Sequence, residues 1–308
     1  MTNRRAFLRR ATYAGAGMAL AHSGAGRAQA ALSGQWGVQL YTLRSVLPSQ
    51  PLETLKAVAA MGYEEVEIPR AGLNALAPIA SEVGLAVTGV HLEAPVVTGD
   101  WTAWKAMPGA SSFLPPESYG IDAAIADAKT HGVRFLSLAY LMPQERSSLD
   151  SFRRFVDSMN RAGEKCKAAG LELCHHNHAF EFQPVEGKVP MDLLVAGFDP
   201  KLVSFEIDVF WVSMAGRDPV ATIRQLGSRV RLLHLKDRAK DAPAEFQEQN
   251  VKPSAFVEVG SGVVDFPGVL AAGRSAGVAH AFVEQDQTAG DPLDSLKKSY
   301  AYLAGLKS

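Results

Sequence analysis

The chain has 308 residues, 47% of them hydrophobic, and a formal net charge of −1. That length gives one large domain or two small ones with an ample core. The near-neutral balance, with no long basic run outside the N-terminus, argues against a nucleic-acid partner, which needs a basic footprint.

The first thirty residues are set aside before the fold is read. They begin Asn3-Arg4-Arg5-Ala6-Phe7-Leu8-Arg9, continue as small apolar residues and end in Ala28-Gln29-Ala30, an A-x-A cleavage pattern. Paired arginines ahead of x-Phe-Leu resemble a twin-arginine export signal. The apolar part is too short and too rich in glycine for a stable membrane span. The expectation is a signal over residues 1–30 and a mature domain over 31–308, periplasmic or otherwise exported and free of the membrane. That route exports folded proteins, so a metal can be loaded before export. Cys166 and Cys174 are then not needed as a disulfide scaffold, and both read as small buried hydrophobes.

After the signal one junction recurs: a helical pattern ends at a glycine and a short apolar run follows. It appears at Gly62, Gly84, Gly132, Gly170, Gly197, Gly227 and Gly277. Glycine past a helix end takes the left-handed conformation without a side-chain clash. These junctions, with a first strand over Trp36 to Tyr41, predict eight strands. The helices between them are amphipathic. Leu149, Phe152, Phe155, Val156, Met159, Ala162 and Cys166 step by three and four along one face. Asp291-Pro292 starts the last helix as N-cap and first turn, ahead of Leu293, Leu296, Tyr300 and Leu303. Regular strand–helix alternation implies parallel strands with right-handed crossovers. Eight units predict an α/β fold, a single (β/α)8 TIM barrel over 31–308. A doubly wound open sheet is the alternative, but no Gly-x-Gly-x-x-Gly fingerprint follows an early strand. The longest connections, at about residues 93–115 and 238–266, follow the third and seventh strands. Both therefore fall on the face where barrel enzymes carry their sites. Trp101, Trp104 and Phe113 in the first either line a pocket or pack the loop onto the barrel.

A parallel barrel gathers the C-terminal ends of all its strands at one rim. The residues there are Gln39, Tyr41 and Thr42; Glu67; His91 and Glu93; Tyr140; His176, Asn177 and His178; Glu206 and Asp208, with Trp211 just beyond; His234, Lys236 and Asp237; and Glu284 and Asp286. A charge at the end of a buried strand is costly unless paired or bound. The stretch LELCHHNHAFEF, Leu171 to Phe182, runs from a buried strand straight into imidazoles, as a metal site requires. His176 converging with Asp208, His234 and Glu284 gives two imidazoles and two carboxylates, a set suited to Mn²⁺, Zn²⁺, Co²⁺ or Fe²⁺. Alternation puts Glu206 and Asp208 on one face, so at most one of them need be a ligand. Glu67 and Glu206 are alternatively partners of arginine or lysine inside the barrel, and His91 a satisfied pocket histidine.

GVQLYTLR (Gly37 to Arg44), HHNHAFEF (His175 to Phe182), EIDVFWV (Glu206 to Val212), HLKD (His234 to Asp237), VGSGVVDF (Val259 to Phe266) and VEQD (Val283 to Asp286) resemble the sugar phosphate isomerase/epimerase family, within the xylose isomerase-like barrels. The resemblance covers nearly everything after the signal. It implies one divalent metal ion (Mn, Zn, Co, Fe or Mg) held by His176, Asp208, His234 and Glu284. It also implies a small carbohydrate substrate, and barrels of this family often associate as homo-oligomers. One departure matters: ketose epimerases of this kind carry glutamate at the strand-five position as ligand and base, where this chain has histidine. The two-glutamate scheme therefore does not transfer, and His178 or Glu181 is an alternative strand-five ligand.

The activity implied is a metal-dependent isomerase or epimerase acting on a sugar or keto-sugar through an enediolate. Glu284 is the first candidate base, with His178, Lys236 and His176 as partners. Gln39, Tyr41, Glu67, His91 and Trp211 are the candidate substrate contacts. Lyase, dehydratase or keto-glycoside-cleaving chemistry on the same metal, and a non-catalytic carbohydrate-binding protein, are the alternatives. Exported enzymes meet few phosphorylated sugars, and no phosphate cradle or arginine cluster stands out, so an unphosphorylated substrate is expected.

Overall fold

The computed structural model describes residue 32 and residues 34–306, so the segment expected to be an export signal, residues 1–30, lies outside the described residues. Eight parallel strands close into a barrel. They are β1 (Gly37–Gln39), β2 (Glu65–Pro69), β3 (Ala86–Glu93), β4 (Phe135–Tyr140), β5 (Glu172–His176), β6 (Val203–Asp208), β7 (Val230–Leu235) and β8 (His280–Val283). The closing pair sets Gly37 opposite Phe282. The helices of the outer ring are α1 (Pro51–Met61), α2 (Leu73–Glu82), α3 (Ile121–Thr130), α4 (Leu149–Ala168), α5 (Pro190–Gly197), α6 (Pro219–Leu226), α7 (Phe266–Ala276) and α8 (Pro292–Gly305). Among the described residues no helix is long and apolar enough to cross a membrane.

The elements form for the reasons their residues suggest. All seven apolar positions of the α4 stripe are buried, and Asp291 caps α8 by accepting from the Leu293 N–H at 2.9 Å. Six of the seven helix-ending glycines, at 62, 84, 132, 170, 227 and 277, have positive φ. Gly197 differs. It lies inside the last turn of α5, and a Cβ there would come within 2.8 Å of Val156 Cγ1. Close packing of α5 on α4, not a left-handed turn, explains that glycine. The first strand is shorter than expected, because the chain turns at Leu40–Leu43 into a single 3₁₀ turn that carries Tyr41 out to the rim.

Side chains two residues apart on a strand share a face, and this fills the barrel in layers. Glu65 and His280 pair at 2.7 Å near the strand starts. Phe135, Cys174, Leu232 and Phe282 form a separate apolar plug. Two residues further along their strands come His176, His234 and Glu284, and two beyond those come Lys236 and Asp286. The polar residues at the strand ends thus stand on an apolar floor.

The two long connections build the rim. Trp101 and Trp104 are buried, and Trp104 donates its indole N–H to Glu145 at 3.1 Å while meeting the Tyr140 ring edge-on. They pack the loop onto the barrel. The loop after β7 is pinned at its base by Asp237, whose carboxylate accepts from the backbone N–H groups of Arg238, Gly260, Gly262 and Val264 at 2.7–3.0 Å. A Cβ at position 262 would lie 2.1 Å from Arg238 O and 2.4 Å from Asp237 Oδ1, so the VGSG stretch is shaped around that carboxylate. Asp237→Ala would leave these partly buried N–H groups without their acceptor and is expected to lower unfolding free energy by about 1–3 kcal/mol. Gly262→Ala is expected to act in the same direction, both read by urea denaturation.

Candidate metal centre and active site

At the C-terminal rim, ligand atoms of His176, Asp208, His234 and Glu284 all lie within 4.8 Å of one another, and all four residues are buried. Each is aimed by its own element. His176 ends β5, and neither ring nitrogen has a hydrogen-bond partner; its Nε2 is 3.3 Å from Asp208 Oδ2. Asp208 ends β6 and caps the short helix Val209–Met214, its Oδ1 accepting from the N–H groups of Phe210 and Trp211. Its Oδ2 is left without a hydrogen bond and faces the cluster. His234, on β7, turns Nδ1 toward Glu284 Oε2 at 2.8 Å and Nε2 toward Glu67 Oε2 at 2.7 Å.

Beneath lies a second layer. Glu67 Oε2 accepts from Gln39 Nε2 at 2.9 Å and is 2.9 Å from His91 Nε2, which is also 2.8 Å from Glu206 Oε2. Glu206 Oε1 is 3.3 Å from His234 Nε2, and the His91 and His234 rings stack at 5.0 Å. Glu67 and Glu206 are therefore partnered by imidazoles, not by the arginine or lysine that the sequence left open. Gln39, Glu67 and His91 are likewise tied to one another, and the His91 side chain, 11% exposed, is the least buried of the three histidines that group here. Gly89 makes room for them, since a Cβ there would lie 2.6 Å from Glu67 Oε1.

Lys236 stands above, its ammonium 2.9 Å from Asp208 Oδ2, 2.6 Å from Glu284 Oε2 and 3.0 Å from Asp286 Oδ2. His178 lies beside the cluster in an aromatic wall. It stacks on Phe180, meets Tyr140 and His176 edge-on and tilts against Trp211, at centroid separations of 5.1–5.3 Å. Glu181 turns the other way: it accepts from the His178 N–H and faces His175 at 3.3 Å. Of the three strand-five candidates, only His176 reaches the convergent group. Trp211 is buried in the wall, and Tyr41 is 45% exposed on the rim with the Arg44 guanidinium over its ring.

The electrostatics follow from burial set against charge pairing. Burial lowers His176, leaving it neutral, and drives His178 well below the usual imidazole value. Burial alone would also lower His234, but Glu206 and Glu284 outweigh it and hold it well above. For His91 burial is outweighed by Glu67 and Glu206, and the imidazole is pushed up to about 9. Burial would raise Asp208 and Glu284, yet Lys236 foremost holds both below the carboxylate range. Lys236 stays protonated, because Asp208, Asp286 and Glu284 outweigh its own burial.

These residues fit a divalent cation. Asp208 Oδ2, whose one charged partner besides the cluster is Lys236, and His176 Nε2, which has no hydrogen bond, lie together, and two carboxylates with two imidazoles suit a borderline metal. His234 presents one nitrogen to the cluster while a carboxylate holds the other, the outer support that fixes the tautomer of a ligating histidine. The deeper group of Glu67, His91, Glu206 and His234 also clusters. Its imidazole nitrogens, however, are already engaged by carboxylates.

Sequence reasoning missed the belt that walls the rim. From β7 the loop visits the neighbouring strands in turn. Arg238 Nε donates to Ser213 Oγ, the Glu245 N–H to Met214 O, and Gln247 to Gln183. Glu248 then receives Arg146 at 2.8 Å and the Tyr140 hydroxyl, beyond β4. Arg146 and Glu248 are 102 residues apart, and nothing in either local stretch announces the pair.

The comparisons agree with this architecture. Residues 118–304 match the xylose isomerase-like TIM barrel family, and the chain belongs to that family. It is similar to the inosose dehydratase of Mesomycoplasma hyopneumoniae, 25% identical over 202 residues that cover 62% of this chain and 67% of the relative. It is also similar to that of Geobacillus thermodenitrificans, 29% identical over 157 residues, covering 48% of this chain and 52% of the relative. A solved sugar phosphate isomerase/epimerase from Parabacteroides distasonis superposes with a TM-score of 0.70 at 25% identity, covering 89% of this chain and 95% of the other.

The layered support of His234 has a measurable consequence. Gly89→Ala would displace the Glu67 carboxylate from His234 while leaving every candidate ligand in place. It is expected to weaken cobalt(II) binding about 10–100-fold, the usual effect of disturbing an outer partner. Titration followed by visible absorption checks this.

Proposed function

We propose that this protein is a divalent-metal-dependent enzyme that removes the proton beside the carbonyl of a sugar or polyol ketone, as an isomerase or epimerase. The convergence of His176, Asp208, His234 and Glu284 on one buried point carries this reading. Those four residues would hold the metal, which when bound would supply Lewis acidity toward the carbonyl. Glu284 is the base. Its Oε2, which faces His234 and Lys236 inside the cluster, is the oxygen that would hold the metal, and Oε1 is left to take the proton. Lys236, protonated and adjacent, stabilises negative charge developing on the substrate oxygens and is the donor for proton return. Asp286 receives the ammonium on its outer side. The aromatic wall of Tyr140, His178 and Trp211 excludes water from one flank. The export signal, together with the engagement of Arg146 by Glu248 and of Arg44 by the Asp286 carbonyl at 2.5 Å, supports a periplasmic protein and an unphosphorylated substrate.

One observation favours a second outcome on the same site. Glu284 and Lys236 stand 2.6 Å apart on adjacent strands, so proton removal and donation are placed on one side of the substrate. That arrangement suits loss of a hydroxyl group as water, which needs an acid next to the base. It also accords with the inosose dehydratases among the relatives.

Protein purified without added metal is expected to contain about one equivalent of Mn, Zn, Co or Fe by elemental analysis, lost in the Asp208→Ala/His234→Ala double variant. With candidate keto-sugars and inososes in D₂O, the α-proton is expected to exchange, and Glu284→Gln to slow that exchange by at least about 100-fold. A dehydrated product seen by ultraviolet absorption would select the lyase outcome. No metal and no exchange would leave a carbohydrate-binding protein.

A further inference from the structure

The β5–β6 ladder ends at His176 opposite Glu206, where β5 leaves the barrel while β6 runs on to Asp208. Asp208 is in register with His234 of β7 on one side, but on the β5 side no strand pairing reaches it. Asn177 fills the gap. It is fully buried, its Oδ1 accepts from the Asp208 N–H at 3.0 Å, and its Nδ2 donates to Asp208 O at 3.5 Å and His178 O at 3.3 Å. One side-chain amide thus takes both the donor and the acceptor part of a missing backbone partner.

We infer that Asn177 is a positioning residue that sets the Asp208 carboxylate by clamping its backbone, and so couples the strand-five and strand-six ligands of the metal centre. The inference rests on the metal reading above. With the Asp208 backbone held by Asn177 and Oδ1 held by the Phe210 and Trp211 N–H groups, Oδ2 has one direction left, toward His176 and Lys236. Asparagine suits the position because its amide carries a donor and an acceptor on one planar group. Aspartate would keep an acceptor for the Asp208 N–H but would turn a second oxygen toward the Asp208 carbonyl. Alanine would leave both backbone groups buried and unpaired. Glu181 braces the same segment by accepting the His178 N–H at 2.8 Å, so Asn177 can be altered without releasing the whole loop.

The test is cobalt(II) titration of metal-free protein, followed by the visible d–d absorption, on the wild type, Asn177→Ala and Asn177→Asp, with thermal unfolding of each metal-free form. The expected result is one cobalt site in the wild type, weakened about 10–100-fold in Asn177→Ala with a changed band shape, and an intermediate loss in Asn177→Asp. Each metal-free variant is expected to unfold in one cooperative transition, at a lower temperature in Asn177→Ala, so that the affinities compare folded proteins. Equal affinity and equal spectra in wild type and variants would overturn this inference alone. If Asn177→Ala does not fold, Asn177→Asp decides by the same criterion. A wild type that takes up no cobalt would overturn the metal reading and this inference with it.

Discussion

The arrangement depends on how the barrel accommodates buried negative charge. Glu67, Glu206, Asp208 and Glu284 are buried in one narrow cylinder, with Asp286 partly exposed at its mouth, and each buried carboxylate is costly unless balanced. The counter-charges stand between them: His91 between Glu67 and Glu206, His234 between Glu67 and Glu284, Lys236 among Asp208, Glu284 and Asp286. The acids still outnumber the bases. A dication beside Asp208 Oδ2 would relieve that excess, which is a physical reason for such a cluster to suit a metal.

The same interior divides labour along the strand axis. The apolar plug of Phe135, Cys174, Leu232 and Phe282 separates the rim charges from the Glu65–His280 pair near the strand starts. That layer gives the lower ring of carboxylates a rigid floor, and Phe282 packs edge-on beneath the His234 ring at 6.2 Å. A ligand held by a stacked ring, a carboxylate and an aromatic floor has little rotamer freedom. The loops above are free to shape the mouth, and the belt from β7 contributes no candidate ligand.

Much of this was legible in the sequence, for a definite reason. Helix stripes and helix-ending glycines act locally, so eight units were readable, and parallel closure then placed His176, Asp208, His234 and Glu284 at one rim without knowledge of any contact. The partners of Glu67 and Glu206 were not readable. They lie on strands across the barrel, 115 residues away for His91 and Glu206 and 167 for His234 and Glu67, and strand alternation gives a face but not a neighbour. Gly197 and Gly89 mark the same limit: each exists for a side chain on another element, Val156 and Glu67. The Glu248–Arg146 contact joins two loops whose lengths were visible and whose paths were not.

Histidine at the strand-five position is the feature that separates this chain from the two-glutamate scheme of ketose epimerases. A neutral imidazole there removes one negative charge from an already acidic interior and removes a base from the β5 side. The nearest basic group on that side is His178, and its burial among Phe180, Tyr140 and Trp211 disfavours the charged form it would acquire by taking a proton. Across the mouth, Glu284 and Lys236 keep an acid and a base in contact on β8 and just beyond β7. Exchanging a carboxylate for an imidazole on one strand therefore does more than alter a ligand. On the proposed function it would leave proton transfer to the opposite side of the barrel, where Glu284 and Lys236 form an ion pair.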